Sequence, residues 1–362
     1  MKLLYIGTQK SNSGYGKAGQ GYIKALKKLG HTVIEKDYLI DKEKVDISNI
    51  DKVIYHCPVE WLPQLFIAEK PCIVITTFEA DRFPPHWIDN LNQCQPELVI
   101  VPSKYNEASL SLDFYNEIAV VPHVVENKKH VSENLIKRRF LPDALAGEPY
   151  IFYSISEWNT RKNFEGLIKA YYNAFQNNEE VLLIIKTKID NQQGVKYIER
   201  QIQEIKNKAN SENYPKIYVI TERLTDDEIL SLHTLGNCYV SAHRAEGFGL
   251  GIAEAMSFGK PVICTGYSGN LEFCDDSNSI LIGYMETFVY GQVDFDYWRR
   301  QYKFDMKWAE PNLLKLSRSL HHAIYNALYE TVDYQKCAEK AKKDIKEKLS
   351  VDAIGKLLKE IL

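Results

Sequence analysis

Two glutamates eight residues apart, Glu246 and Glu254, enclose a glycine-rich segment that opens a stretch of helical character ending at Gly259. Gly247 and Gly249 allow another molecule to approach the backbone closely, and the free N–H groups at a helix start attract an anion. A ligand with hydroxyls on either side of a diphosphate could contact both carboxylates and these amides together. The alternative interpretation is a glycine-bearing strand-to-helix turn with a solvated glutamate at each end.

A second glycine-rich motif, GYGKAG at residues 14–19, follows the first apolar strand and matches G-x-G-x-x-G, the fingerprint of dinucleotide-binding sites. In that fingerprint the first glycine follows the strand almost at once, whereas residues 8–13 intervene here. Glu35 and Asp37, at the end of the next strand-like run, would be the ribose ligands of such a site. The longer loop disfavours this interpretation, and an NAD-dependent oxidoreductase is kept only as an alternative function.

The composition is that of a globular protein with about two domains. Of the 362 residues, 45% are hydrophobic and 26% are charged, and the formal net charge of -3 offers no field that would attract nucleic acid. No apolar run reaches the roughly 18 residues of a membrane-spanning helix, and no signal-peptide pattern is present. The seven scattered cysteines form no C-x-x-C pair and are expected to be reduced. We therefore expect a cytoplasmic protein, for which peripheral contact with the inner face of a membrane stays open.

Strand-like and helical runs alternate along the chain, which predicts an α/β fold with two doubly wound domains. The strands are continuous Val/Ile/Leu runs, as in parallel strands buried on both faces. A charged and then loop-like segment at 126–149 separates an N-terminal domain, 1–146, from a C-terminal domain, 147–334, and a helix at about 335–362 is a candidate to pack back on the first. The predicted strands are 2–7, 31–37, 52–56, 72–78, 98–103, 118–123, 150–156, 181–188, 216–222, 238–242 and 261–266, and helical runs are predicted at about 163–178, 225–234 and 250–258. The aromatic-rich stretch 284–310 interrupts this rhythm as an insertion, for which packing is favoured over acceptor binding.

The segment EGFGLGIAEAMSFGKPVICTGYSGNLEF, which begins at Glu246, resembles the E-x7-E region of family-4 retaining glycosyltransferases, which have the GT-B fold. Further matches follow in the family's order along much of the chain: the glycine loop at 14–16, TFEADRFP at 77–84, VPS at 101–103, RKN at 161–163 and WAEP at 308–311. The resemblance implies two Rossmann-like domains that face each other across a cleft. It also implies a retaining transfer of a sugar from a nucleotide-diphosphate sugar to an acceptor hydroxyl, as in glycan or glycoconjugate biosynthesis.

The resemblance also assigns roles to individual positions. Glu254 matches the glutamate that binds the ribose hydroxyls, and Glu246 matches the one that lies beside the donor sugar. Lys162 matches the lysine that neutralises the leaving phosphates, with a solvated lysine at a helix start as the alternative. The other donor-binding positions are Gly14 and Gly16 on the far wall of the cleft, Gly247 in the loop, and Phe248, Gly249 and Leu250, whose amides would hold the diphosphate. The family implies a UDP- or GDP-sugar donor, no metal and no cofactor, and an acceptor that is a glycan, a lipid-linked molecule or a protein.

The chain departs from the family in one donor-binding cation. The family usually carries an arginine five or six residues before the lysine, where this chain has Ser156 and Glu157. Arg161 or Lys186 could supply the missing charge, and we favour Lys186 because it ends a strand, where doubly wound sheets bind ligands. The departure keeps open a non-catalytic relative that acts as a partner subunit.

Two further acidic positions bear on the chemistry. Glu79 stands where many members of the family have a histidine that faces the reacting sugar, so it is a candidate to position the sugar or the acceptor hydroxyl. Its alternative is a carboxylate at a helix start. Asp294 and Asp296 match D-x-D, the metal and diphosphate motif of the other large glycosyltransferase fold, but a three-residue match inside an insertion is expected to arise by chance.

Overall fold

The computed structural model of the protein contains two parallel sheets of six strands each and one antiparallel hairpin. The residues that it describes are 1–11, 13–43, 45–126, 130–141, 148–175, 180–189, 192–209, 213–289, 300–328 and 332–362. Both sheets confirm the predicted α/β fold.

The first sheet is formed by the N-terminal part of the chain. Its strands are β1 (Lys2–Gly7), β2 (Thr32–Asp37), β3 (Lys52–His56), β4 (Cys72–Ile75), β5 (Leu98–Val101) and β6 (Ile118–Val120). Their spatial order is β2-β1-β3-β4-β5-β6, so the direction in which the sheet grows reverses between β1 and β3. Leu3 of β1 lies opposite Val33 on one side and Lys52 on the other. Loops that leave the two sides of such a switch point diverge, which opens a crevice at the carboxyl ends of the strands.

The second sheet repeats this principle with a different strand order. Its strands are β7 (Tyr150–Ile155), β8 (Val181–Lys186), β9 (Lys216–Ile220), β10 (Cys238–Ser241), β11 (Val262–Thr265) and β12 (Ile280–Ile282). The order β12-β11-β10-β7-β8-β9 places the switch point between β7 and β10. Every residue of β8 is buried, because helices cover both faces of a parallel sheet.

The helices connect the strands and cover the sheets. They are α1 (Gly14–Lys28), α2 (Leu62–Leu65), α3 (Pro85–Cys94), α4 (Lys104–Ser111), α5 (Asn134–Phe140), α6 (Phe164–Ala174), α7 (Gln192–Ala209), α8 (Asp226–Leu235), α9 (Leu250–Ser257), α10 (Leu313–Leu328), α11 (Val332–Leu349) and α12 (Val351–Ile361). Short 3-10 turns occupy Val59–Trp61 and Gly269–Glu272. Helix α8 begins with a capping box in which the Thr225 and Glu228 side chains each bond the other's backbone, which stabilises its first turn.

All eleven predicted strands are present, and most end earlier than predicted. The apolar run 72–78 shows why: the strand stops at Ile75 because the Asn106 side chain bonds the backbone of Phe78. Strand β12 was missed, because it has only three residues. A short apolar run does not distinguish strand from helix or loop.

The aromatic stretch 284–310 begins and ends in a hairpin, β13 (Tyr284–Phe288) against β14 (Lys307–Pro311). Tyr302 and Trp308 pack in the same apolar cluster as Phe78 and Trp87 of the N-terminal part of the chain. The Tyr302 and Phe78 rings stack with centroids 5.0 Å apart. The described part of this stretch therefore packs against the protein and joins the two halves of the chain.

The C-terminal helices lie on different sheets. Ala341, Ile345 and Leu349 of α11 pack in the core of the second sheet. Ile354 and Leu358 of α12 instead pack in a cluster of the first sheet that contains α1. The chain thus returns to its beginning, and the last helix covers one face of the first sheet.

We predict that Leu358→Ala lowers the free energy of unfolding. The Leu358 side chain is only 2% exposed, and replacing a buried leucine by alanine leaves a cavity. The expected loss is about 2–5 kcal/mol of unfolding free energy, measured by chemical denaturation. Lys356→Ala, an exposed position of the same helix, is the control and should change stability by less than about 0.5 kcal/mol. Equal stability of the two variants would show that α12 does not dock on the first sheet.

Candidate active site

The residues singled out in the second sheet meet at its switch point. Arg161 and Lys162 follow β7, and Glu246 follows β10, the strand next to it. Because parallel strands end at one edge of the sheet, the two loops lie side by side there. Residues 85 positions apart in sequence are thereby brought within contact distance.

Four charged side chains form a continuous chain across the cleft. Lys162 Nζ lies 2.5 Å from Glu246 Oε1, and Arg161 Nη1 lies 3.3 Å from Glu246 Oε2. The other guanidinium nitrogen, Arg161 Nη2, lies 3.1 Å from Glu79 Oε1, which belongs to the first sheet's side of the cleft. Two cations and two carboxylates thus alternate, and Arg161 contacts carboxylates from both halves of the chain.

Burial and charge act in opposite directions on this cluster. Burial by itself raises the pKa of the Glu246 carboxyl, but Lys162, Arg161 and His243 outweigh it and hold this pKa at about 2. For Arg161, burial lowers the pKa, but the nearby carboxylate of Glu79 and other neighbouring groups raise it overall. Both side chains are therefore charged at neutral pH.

The loop that carries Glu246 is fixed by hydrogen bonds to its backbone. The Glu246 amide donates to Ser268 Oγ at 2.7 Å, and its carbonyl accepts from the Gly269 amide at 2.8 Å. A Cβ on Gly247 would lie 2.0 Å from Thr77 Oγ1, so the two halves of the chain meet here without room for a side chain. Gly249 has a φ of 95°, a left-handed conformation that favours glycine, and it caps α9.

The start of α9 presents unused backbone donors. Within the described residues, the amides of Phe248, Gly249 and Leu250 have no hydrogen-bond acceptor in the protein. One turn further, Glu254 Oε1 lies 2.9 Å from Lys17 Nζ, and Glu254 Oε2 lies 3.9 Å from His233 Nε2. A row of N–H groups beside a carboxylate is suited to a phosphate next to a hydroxyl-bearing group.

Asn163 and Arg244 position the two basic residues. Asn163 has a φ of 54°, caps α6 by accepting from the Gly166 amide, and donates to the Ala242 carbonyl at 3.0 Å. Asparagine is among the few residues that adopt this conformation readily. The Arg244 amide donates to the Arg161 carbonyl at 2.7 Å, and its side chain pairs with Glu310 of the hairpin. The segment that carries Arg161 and Lys162 is thus held from both sides.

Glu79 lies at the cleft and not on the outer surface. The Asn106 side chain accepts from the Phe78 amide and donates to its carbonyl, which fixes the turn before Glu79. On the other side, Tyr302 Oη donates to Glu79 Oε2 at 3.2 Å. Glu79 therefore has two partners from the other half of the chain, Arg161 and Tyr302.

The structure places the two candidates for the missing cation differently. Arg161 contacts Glu246, whereas the Lys186 ammonium donates to the carbonyl oxygen of its neighbour Thr187. Burial lowers the pKa of Lys186 to about 8. Lys186 does end a strand, as the sequence indicates, and which of the two cations serves a donor stays a prediction.

The first glycine motif lies across from α9. A Cβ on Gly14 would lie 4.0 Å from Leu250 Cδ1, and the Gly16 amide is taken up by Ser13 Oγ, the cap of α1. Glu35 pairs with Lys27 on the surface. The Asp37 carboxylate accepts from the amides of residues 10 and 39, so neither acidic residue is available to a dinucleotide.

Other predictions concern metals, cysteines and membranes. The D-x-D at 294–296 lies outside the described residues. In the ranges that are described, no three His, Cys, Asp or Glu side chains are grouped as a metal site would need.

All seven cysteines are free, and six are buried. Among the described helices, none combines the length and the apolar character needed to cross a bilayer.

Four contacts of the site were not foreseen from the sequence: those of Lys17, His243, Ser268 and Tyr302. His243 is fully buried between Ser241 Oγ at 2.9 Å and Asn270 Oδ1 at 3.1 Å, beneath the loop of Glu246. Burial lowers the pKa of His243 to about 4. A histidine directly after a strand and three residues before Glu246 was the one available signal.

Comparison with known proteins agrees with the motifs. Residues 138–285 match the family of glycosyl transferases group 1. No curated protein sequence matches the chain significantly. The structure resembles Anabaena HepE, solved with UDP, at a TM-score of 0.68 and 16% identity over 100% of this chain and 99% of that one. It also resembles sucrose-phosphate synthase from Thermosynechococcus elongatus at a TM-score of 0.68 and 14% identity, covering 100% of this chain and 98% of that one.

A third similar structure is the pneumococcal O-GlcNAc transferase GtfA, solved with UDP and GlcNAc, at a TM-score of 0.55 and 15% identity over 96% of this chain and 59% of that one. These likenesses show the fold alone, and the family match over residues 138–285 favours a glycosyltransferase over the oxidoreductase alternative. The chain therefore has the fold of these GT-B glycosyltransferase structures, and its residues 138–285 match the family of glycosyl transferases group 1.

Proposed function

We propose that the protein transfers a hexosyl group from a UDP-sugar to an acceptor hydroxyl with retention of anomeric configuration. One observation carries the proposal: Glu246, held by Lys162 and Arg161, lies beside three amides at the start of α9 that have no acceptor in the described part of the chain. One switch point thus combines cations, oriented N–H donors and a carboxylate. A sugar nucleotide requires these groups for its phosphates and its hydroxyls. The choice of UDP is supported by the structures of HepE and GtfA, which contain UDP.

The donor would lie along α9. The diphosphate would accept from the amides of Phe248, Gly249 and Leu250, and the Glu254 carboxylate would accept from the ribose hydroxyls. As the bond between the anomeric carbon and the diphosphate breaks, negative charge grows on the leaving oxygen. The amides and Lys162 are already oriented toward that region, so they stabilise this charge without reorganising, which is the most effective form of electrostatic catalysis. In this proposal the protein's own cations take the place of a metal ion.

Glu246 and Glu79 would serve the sugar and the acceptor. Glu246 is only 7% exposed and is held at two points of its backbone, so its carboxylate has a fixed position beside the donor. Glu79 enters from the other side of the cleft and is aligned by Arg161 and Tyr302. The acceptor hydroxyl would then approach between the two carboxylates, on the face from which the diphosphate leaves.

Arg161 can supply the cation whose absence suggested a non-catalytic relative. That suspicion came from Ser156 and Glu157, which stand where the family usually has an arginine. Arg161 provides a largely enclosed guanidinium that contacts both Glu246 and Glu79. A catalytic enzyme is therefore the function that the geometry supports best.

We predict that Glu246→Gln and Lys162→Met each lower kcat/KM by about 10²–10³-fold, because each removes a preorganised charge at the reacting centre. The measurement is UDP release from UDP-glucose, and from other UDP-sugars, with a mixture of glycan, lipid-linked and peptide acceptors. EDTA should leave the wild-type rate unchanged. Glu165→Gln and Lys169→Met are matched controls, because these residues form an exposed ion pair on α6. Full activity of the site variants would disprove the assignment.

The same assay separates Arg161 from Lys186. We expect Arg161→Met to reduce kcat/KM about 100-fold or more, because Glu79 and Glu246 both lose a partner. Lys186→Met should reduce it by less than about tenfold, since the Lys186 ammonium donates to a backbone carbonyl. Arg161→Lys, which keeps one charge, guards against simple unfolding of the methionine variant. A larger loss with Lys186→Met than with Arg161→Met would reverse the assignment.

The depressed pKa of Glu246 predicts a pH-dependent contribution to stability. A carboxylate whose pKa falls from the ordinary 4.5 to about 2 on folding stabilises the folded state fully above pH 4.5. This contribution, roughly 3 kcal/mol at most, is lost as the pH falls from 4.5 through 2. The difference in unfolding free energy between wild type and Glu246→Gln should therefore be constant from pH 7 to 5 and shrink below. A difference that grows toward low pH would contradict the ion-pair cluster.

A further inference from the structure

Lys17 and Glu254 form an ion pair that joins the two halves of the chain across the cleft. Lys17 Nζ lies 2.9 Å from Glu254 Oε1, although the residues are 237 positions apart. The side chains are 29% and 18% exposed, so the pair is less hydrated than the surface pairs of this protein. Glu254 is the carboxylate that the proposed function assigns to the ribose. A lysine from the N-terminal half of the chain is therefore paired with the carboxylate that would bind the ribose.

The backbone around the pair brings two helix starts together. Lys17 lies one turn into α1, which begins at Gly14, and Glu254 lies one turn into α9, which begins at Leu250. A Cβ on Gly14 would touch Leu250 at 4.0 Å, so the two helix starts face each other. Within the described residues, the Gly14 and Tyr15 amides have no acceptor in the protein, and neither helix has an acidic residue in its first turn. Both helices direct their positive ends toward one region.

Donor binding changes the charge balance around Lys17. A ribose brings neutral hydroxyls that donate to Glu254 and compete with the ammonium for its oxygens. A diphosphate at the start of α9 would bring negative charge opposite the start of α1, from which Lys17 extends on a flexible four-carbon stem. The diphosphate is then a stronger partner for the Lys17 ammonium than the Glu254 carboxylate, because a charged donor gains most from the most negative acceptor.

We propose that Lys17 is a donor-binding residue of the N-terminal half, which passes from Glu254 in the free enzyme to the diphosphate of the bound donor. The ion pair prepares the cleft by holding the Glu254 carboxylate and by keeping Lys17 near the start of α9, where the diphosphate would bind. The inference rests on the proposed function, since it assumes a nucleotide along α9. Lys17 then adds to donor recognition a cation that the motifs of the C-terminal half do not supply.

The test compares UDP with uridine by calorimetry, using competition where binding is weak. In Lys17→Gln we expect the Kd for UDP to rise about tenfold and the Kd for uridine to stay constant or fall, because only UDP offers the charge-assisted bond and uridine no longer competes for Glu254. Lys17→Arg should bind UDP within about threefold of wild type. Lys24→Gln is the matched control, since Lys24 lies on the same helix in an exposed pair with Glu126.

The possible failures are distinguishable. If the wild-type protein binds UDP and Lys17→Gln binds UDP equally well or more tightly, the role of Lys17 is overturned. The proposed function would then remain intact. An equal loss of UDP and uridine affinity in Lys17→Gln would also overturn it, because Lys17 would then only maintain the shape of the cleft. If the wild-type protein bound neither UDP, GDP nor ADP, the proposed function and the role of Lys17 would fall together.

Discussion

The site depends on one constraint: buried charges must be paired. Glu246 is buried and the Arg161 side chain is only 14% exposed, so each charge needs a partner of opposite sign. The alternating arrangement of Lys162, Glu246, Arg161 and Glu79 satisfies this requirement and at the same time fixes four side chains relative to one another. Since Glu79 comes from the other half of the chain, the pairing also sets how the two halves meet.

The two sheets contribute unequally to this arrangement. The second sheet supplies the cations, Glu246 and the helix start, because the loops after β7 and β10 diverge at its switch point. The first sheet supplies Glu79, Lys17 and the glycine loop, which reach these groups only where the halves are in contact. The hairpin that closes the aromatic stretch and helix α12 tie the halves together on two sides. A ligand in the cleft would therefore contact both sheets.

Most of the fold could be predicted because its strands are long apolar runs and its helices have periodic apolar faces. The errors occur where side chains decide the local conformation. Asn106 ends β4 early by bonding the backbone of Phe78, a contact between residues 28 positions apart that no local pattern shows. The contacts of Arg161 and Lys186 are equally non-local. Both lie at the correct edge of the sheet, but the direction of each side chain depends on the loops that surround it.

By itself the sequence determined the alternation of strands and helices and the E-x7-E segment, and it predicted which residues would hold a diphosphate and a sugar. These are local features, since hydrophobic period, glycine spacing and short motifs lie within a few turns of the chain. Only the tertiary structure decided that Arg161 contacts Glu246, that Tyr302 donates to Glu79, and that Lys17 faces Glu254. The last two pairs join residues 223 and 237 positions apart. Their distance is set by how two separately built sheets pack, and no repeat or spacing within either sheet encodes it.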